Sequence, residues 1–182
     1  MRRDDVAKAR SYLYVIGEDG NSDEVKIGRS IDPVGRRSTL QVGRGRKLKV
    51  HGYWPVPFDD AVTLEAAAHA ALHEVRVKGE VFAVSPELAC AFVEHIAQHG
   101  AADDFLRLGL AKERAERRWG ALSIAPSSGG RWAKPEMVAA LEAAEAEMKR
   151  LDHEFFSMDR ARADKIDSSR HWLDKLDEGC PA

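Results

Sequence analysis

The sequence predicts an α+β fold in which a small, mainly antiparallel sheet of three or four strands is flanked by helices and followed by a helical extension. Two observations predict it. Short aromatic and β-branched runs alternate with capped helical runs over the first hundred residues, and only helical patterns follow Gly100. At 182 residues the chain can bury a sizeable core without disulfides or a structural metal.

The first two strands are predicted over residues 11–17 (SYLYVIG) and 24–28 (EVKIG), which are rich in β-branched and aromatic side chains. Residues 17–23 between them contain Gly, Asn and Asp, the residue types that turns require. This spacing predicts a hairpin whose connection is longer than the tightest turn.

A helix is predicted next, because Asp32 is a good N-cap and Pro33 suits the first helical position. It extends through about Gln41, and Gly43 and Gly45 end it.

Residues 48–56 form a third apolar run with the character of a strand. Asp59 and Asp60 then predict the cap of an alanine-rich helix over about 61–75.

A short strand over 80–84 is followed by Ser85 and Pro86, which predict the cap and first turn of a helix to about His99. The predicted order of elements is therefore ββαβαβα.

Two domains are expected, residues 11–99 and a helical extension over 100–182. The Pro, Ser and Gly content of 125–130 predicts a flexible linker, and from Lys134 a long amphipathic helix is predicted, with a break near 168–169. Its apolar stripe is typical of a packing face, so we expect a homodimer, a protein partner or folding back on the first domain.

Charge is unevenly distributed along the chain. The formal net charge is −2, yet residues 26–49 carry eight basic side chains and a single acid, Asp32. Such a field attracts phosphate chains, although a solvated surface would have the same composition. No apolar run approaches the length of a membrane span, and two distant cysteines indicate no disulfide framework. We therefore expect a soluble cytoplasmic protein without a membrane partner.

Five motifs in the first domain occur in a characteristic order and spacing. They are Tyr12-Leu13-Tyr14, Lys26-Ile27-Gly28, Arg36, Glu65-x-x-x-His69 and Gly79-Glu80-Val81-Phe82. Together they resemble the GIY-YIG nuclease superfamily, and most closely its KIG-type branch, the meiotically up-regulated gene 113 type found in phages and bacteria. The resemblance covers about residues 11–98.

The resemblance implies a metal-dependent DNA endonuclease that uses one divalent ion, Mg²⁺ or Mn²⁺. Tyr14 would orient or deprotonate the attacking water, and Lys26, which replaces the second tyrosine, would hold a phosphate oxygen. Arg36 would clamp the scissile phosphate. Glu65 would bind the metal, and His69 would lie near the metal or the leaving group.

Further residues are assigned by the same resemblance or by charge. Tyr12, Gly28 and Glu80 would support the site, while other basic residues would contact the DNA backbone without reading sequence. These basic residues are Arg29, Arg37, Arg44, Arg46, Lys47 and Lys49. Leu40 stands where many members of the superfamily have a histidine.

Two alternatives remain open at this stage. The same fold can serve as a catalytically inactive DNA-binding or assembly module, with the C-terminal helices mediating dimerisation or docking. A zinc site is also conceivable, because His69 and His73 are four residues apart on one helix face, although further ligands are not evident.

Overall fold

A computed structural model describes residues 10–20, 23–124 and 135–177, with side chains described within 10–20, 23–123 and 136–162. The chain divides into two compact units, Met1–Arg107 and Leu108–Ala182. The predicted linker over 125–130 lies outside the described residues. Within the described ranges, no helix has the length and apolar character needed to cross a membrane.

The first unit contains a five-stranded antiparallel sheet with the order β3-β1-β2-β5-β4. The strands are β1 (Arg10–Glu18), β2 (Val25–Ser30), β3 (Leu48–Pro57), β4 (Arg76–Lys78) and β5 (Val81–Phe82). The predicted α+β class is confirmed, and the sheet has one strand more than the three or four expected.

The described ranges contain five α-helices. They are α1 (Pro33–Gln41), α2 (Ala61–Ala71), α3 (Pro86–His99), α4 (Asp104–Ile124) and α5 (Pro135–Asp177). α5 is continuous, so the predicted break near 168–169 is wrong.

Two of the predicted N-caps are confirmed. The Asp32 carboxylate accepts from the Gly35 amide at 2.9 Å, and the Ser85 hydroxyl accepts from the Leu88 amide. The cap predicted for α2 is wrong in its chemistry, because Asp60 occupies the N-cap position without a side-chain hydrogen bond.

The additional strand arises because α2 ends earlier than predicted, at Ala71 rather than near residue 75. A single 3-10 turn, His73–Val75, follows it, and β4 then forms a hairpin with β5. Gly79 lies in this hairpin with φ of 56°, a conformation that favours glycine. Residues 76–78 therefore form hydrogen bonds with β5 instead of extending the alanine-rich helix α2.

Residues on β1 alternate between the two sheet faces. Leu13 and Val15 are fully buried on one face, and α3 packs against β1 and β3. Tyr14 and Ile16 point to the other face and pack with Leu48. Both faces of β1 are therefore covered, and this packing fixes the positions of its side chains.

In the second unit, α4 and α5 are joined by a cross-helix ion pair and buried apolar side chains. Lys112 Nζ lies 3.0 Å from Asp152 Oδ1, and its pKa is raised chiefly by that hydrogen bond. Leu110, Ala144 and Leu151 are buried. This packing uses part of the apolar stripe predicted on α5.

Candidate functional site

Tyr14 and Gly28 lie directly opposite each other in the β1–β2 ladder. A Cβ atom at residue 28 would lie 2.6 Å from Tyr14 Oη and 3.4 Å from Glu65 Oε1. Glycine is therefore required here by close approach of the phenol. The Tyr14 hydroxyl and one Glu65 oxygen border the same space above Gly28.

Arg36 is brought to this place by α1. The pKa of Arg36 is raised, first by hydrogen bonding with Tyr14 and then by the electrostatic effects of Tyr14 and Glu80, while burial opposes the shift. The Tyr14 side chain itself is buried. Arg36 and Tyr14 are thus electrostatically coupled.

Glu65 projects from α2 toward β2. Its Oε2 atom accepts from Arg29 Nε at 3.1 Å, and the Glu65 side chain is only 18% exposed. The two carboxylate oxygens therefore have different surroundings: Arg29 holds Oε2, while Oε1 faces the space above Gly28.

Lys26 and Glu80 form a salt bridge between β2 and the turn before β5. The pKa of Glu80 is lowered, first by the hydrogen bond from Lys26 and further by the charges of Lys26, His69 and Arg36, while burial opposes the shift. Lys26 is thus engaged by a carboxylate, and Glu80 lies within electrostatic reach of Lys26, His69 and Arg36.

His69 is held at the sheet edge by its ring. Its Nε2 lies 3.0 Å from the Ile27 carbonyl oxygen, and this nitrogen must carry the proton because a carbonyl oxygen only accepts. The His69 ring also packs against Phe82, with centroids 5.2 Å apart. His69 therefore satisfies the Ile27 carbonyl of β2, one residue beyond the part of β2 that pairs with β5.

One position differs in polarity from what the resemblance implies. Leu40, where the resemblance implies a histidine, packs against the Tyr14, Ile16 and Leu48 cluster and makes an apolar contact. Tyr12 contacts Tyr53 edge to face, with ring centroids 5.6 Å apart. Tyr53 was missed by sequence reasoning, because nothing in the sequence fixes the register that sets it opposite Tyr14.

The predicted backbone-contacting residues lie on the surface, and several are paired with other side chains. Arg46 and Lys47 form ion pairs with Glu18 and Asp19 at 2.9 and 3.4 Å. Arg37 donates to the Ser38 hydroxyl.

Arg44 and Lys49 are exposed. Acidic residues at the end of β1 therefore weaken the positive field that the sequence predicts for this segment.

A cavity of about 380 Å³ opens beside Lys26 and was not anticipated from the sequence. Its walls include the apolar residues Ile16 and Leu40 and the cations Arg44 and Arg46. The structure therefore places two of the predicted backbone-contacting arginines next to a depression that begins at the candidate site.

Among the described residues, the side chains that could bind a metal do not form a cluster. No group of three or more His, Cys, Asp and Glu side chains in the described part of the chain is arranged to hold an ion. His73 Nδ1 lies 3.0 Å from the Ala70 carbonyl and His69 contacts Ile27, so the two histidines do not converge. A lone carboxylate oxygen, Glu65 Oε1, remains suitable for a hard cation that keeps most of its waters.

A family model matches the first part of the chain. Searches of curated proteins and of solved structures gave no match, and no GIY-YIG family model matched either. Residues 11–97, which include nearly all of the sheet and of α1, α2 and α3, match the T5orf172 domain, a phage-associated domain related to nuclease-like folds.

Proposed function

We propose that the protein is a metal-dependent DNA endonuclease that hydrolyses phosphodiester bonds at a single-metal site of the GIY-YIG type. The observation that carries this proposal is the convergence of Tyr14 Oη and Glu65 Oε1 at Gly28, together with the interaction between Tyr14 and Arg36. These groups come from β1, α1 and α2, so only the folded domain brings them together.

Hydrolysis of a phosphodiester needs an oriented water, stabilisation of negative charge on phosphorus and help for the leaving oxygen. Tyr14 Oη lies against Gly28, close to Glu65 Oε1, and interacts with Arg36; there it would orient or deprotonate the attacking water. The planar guanidinium of Arg36 can bind two phosphate oxygens and stabilise the charge that develops on them.

The donor set fits one divalent cation. Glu65 Oε1 would hold Mg²⁺ or Mn²⁺, with waters and phosphate oxygens completing the coordination. When bound, the ion supplies positive charge to the phosphate and its leaving group. Arg29 keeps the Glu65 carboxylate oriented through Oε2, so Oε1 is presented toward Gly28.

The remaining polar residues have supporting roles in this proposal. Glu80 positions Lys26 near the phosphate, where an ammonium group can hold one oxygen as a point charge. His69 fixes the edge of β2 beside Glu80, which keeps the neighbouring groups in register. Arg44 and Lys49, exposed on the surface, would contact the flanking DNA backbone.

Nicking of supercoiled plasmid in Mg²⁺ or Mn²⁺, with a chelator control, tests the proposal. We expect metal-dependent cutting that is lost in Glu65→Ala and Arg36→Ala. Glu94→Ala and Arg107→Ala are matched controls, because both residues are exposed and distant in sequence from the site. Cutting that survives in Glu65→Ala would exclude the proposed metal ligand.

A second function is favoured by one observation. The charged groups of the site are engaged with one another, since Arg29 pairs with Glu65 and Lys26 with Glu80. Such a network suits a non-catalytic DNA-binding or assembly module whose C-terminal helices mediate dimerisation or docking. In that case no metal supports cutting, and Glu65→Ala leaves DNA affinity unchanged or improves it, because a repulsive carboxylate is removed.

A further inference from the structure

Tyr53 is an exposed aromatic residue immediately beside the candidate site. It lies opposite Tyr14 in the β1–β3 ladder, so both side chains emerge on the same face of the sheet. Tyr14 is 1% exposed, whereas Tyr53 is 52% exposed. A large ring left half in water at this position contributes little to the core.

Tyr12 holds the Tyr53 ring in a defined orientation. Tyr12 shares the face of Tyr14, because the two residues are two positions apart on β1. The Tyr12 and Tyr53 rings meet at 81°, and in an edge-to-face pair ring faces remain that the partner does not cover. The pair therefore offers an exposed aromatic ring at the cross-strand neighbour of Tyr14.

A cation acts on the residue next to this aromatic pair. Arg36 interacts with Tyr14, which is the cross-strand neighbour of Tyr53. Aromatic rings next to cations are the means by which proteins bind single strands, because bases stack on the rings while cations hold phosphates. In a duplex the base faces are covered by their neighbours and cannot use such a surface.

We infer that Tyr12 and Tyr53 form a stacking surface for an unpaired base next to the phosphate at the candidate site. The favoured substrate is then single-stranded or locally unpaired DNA rather than continuous duplex. This inference rests on the proposed function, which gives DNA as the ligand. It adds that the DNA is unpaired and that Tyr12 and Tyr53 select it.

The test measures binding rather than cutting. Affinities for a labelled single strand of about 12 nucleotides and for the matching duplex are compared in chelator, with the wild-type protein, Tyr53→Ala and Tyr53→Phe. We expect Tyr53→Ala to weaken single-strand binding about tenfold, Tyr53→Phe to change it less than twofold, and duplex binding to stay the same.

An abasic scan of the same oligonucleotide identifies the stacked base. One abasic position should weaken wild-type binding about as much as Tyr53→Ala does, with no further loss when both changes are combined. Equal single-strand affinity of wild type and a folded Tyr53→Ala protein would overturn the inference, as would an equal loss on duplex.

Cutting assays in Mg²⁺ keep the two proposals separate. Tyr53-dependent binding by a protein that never cuts supports the stacking surface and contradicts the nuclease. If the protein cuts in a metal-dependent manner but Tyr53→Ala leaves its affinity for the single strand unchanged, only the stacking surface is contradicted.

Discussion

Tyr14 and Gly28 are paired across two neighbouring strands, and the phenol of Tyr14 occupies the volume that a side chain at residue 28 would need. The pair explains why a glycine ends the Lys26-Ile27-Gly28 motif. Backbone freedom is not the reason, because Gly28 does not have a positive φ. The space is needed by a neighbouring side chain that the proposed chemistry uses.

Gly28→Ala should therefore destabilise the domain and displace Tyr14. The new methyl group would lie 2.6 Å from Tyr14 Oη and 2.8 Å from Cζ, too close for either to remain in place. We expect a loss of about 1–3 kcal/mol in the free energy of unfolding, measured in urea, together with loss of any cutting.

Gly45→Ala is the matched control for stability, because a Cβ atom there meets nothing within 4 Å. Unchanged stability of Gly28→Ala would show that the Tyr14 ring is not held against β2.

The Lys26–Glu80 salt bridge should make stability depend on acid pH. The folded-state pKa of Glu80 is lowered, chiefly by Lys26, so between the folded and unfolded pKa values the unfolded chain binds more protons. The contribution is present above the unfolded pKa, about 4.3, and is lost as pH falls through the folded value.

Glu80→Gln removes this contribution. We expect the variant to be less stable at pH 7 by under about 1 kcal/mol, since the pair is partly exposed, and the difference to be smaller at pH 3. Urea unfolding at both pH values measures it, with Glu94→Gln as an exposed control. A difference that persists unchanged at pH 3 would mean that ionisation of Glu80 is not the cause.

His69 should stabilise the fold through its ring nitrogen. His69→Phe keeps the packing against Phe82 but leaves the Ile27 carbonyl without its side-chain donor, which we expect to cost about 1–3 kcal/mol. His69→Gln retains a donor and should recover part of the loss. His73→Phe serves as the control, because His73 is exposed. Equal stability of His69→Phe and wild type in urea would refute this role.

Cys90 should be an unreactive thiol. Burial is the main cause that raises its pKa to about 11, and Glu87 and Glu94 add to the effect. At pH 8 only about one thousandth of the Cys90 side chain is then thiolate, the form that reacts.

In a Cys180→Ser background, we expect iodoacetamide labelling of the native protein to be slow and labelling in denaturant to be at least tenfold faster. Mass spectrometry measures both rates. Similar rates in the two conditions would show that Cys90 is not protected by the fold.

Local patterns in the sequence determined much of this protein. The caps at Asp32 and Ser85 depend on interactions within a few residues, so they could be predicted and were confirmed. The order and spacing of the motifs placed the domain at about residues 11–98, close to the 11–97 matched by the T5orf172 domain.

Tertiary structure decided what depends on contacts between distant segments. The fifth strand exists because residues 76–78 form hydrogen bonds with β5. Helix propensity along the sequence does not predict these bonds. Cross-strand register placed Tyr53 beside Tyr14, and a shift of one residue would have turned it to the other face. The approach of Tyr14 and Glu65 to Gly28, and of Arg36 to Tyr14, has the same physical reason, because residues far apart in the sequence meet only when strands and helices pack.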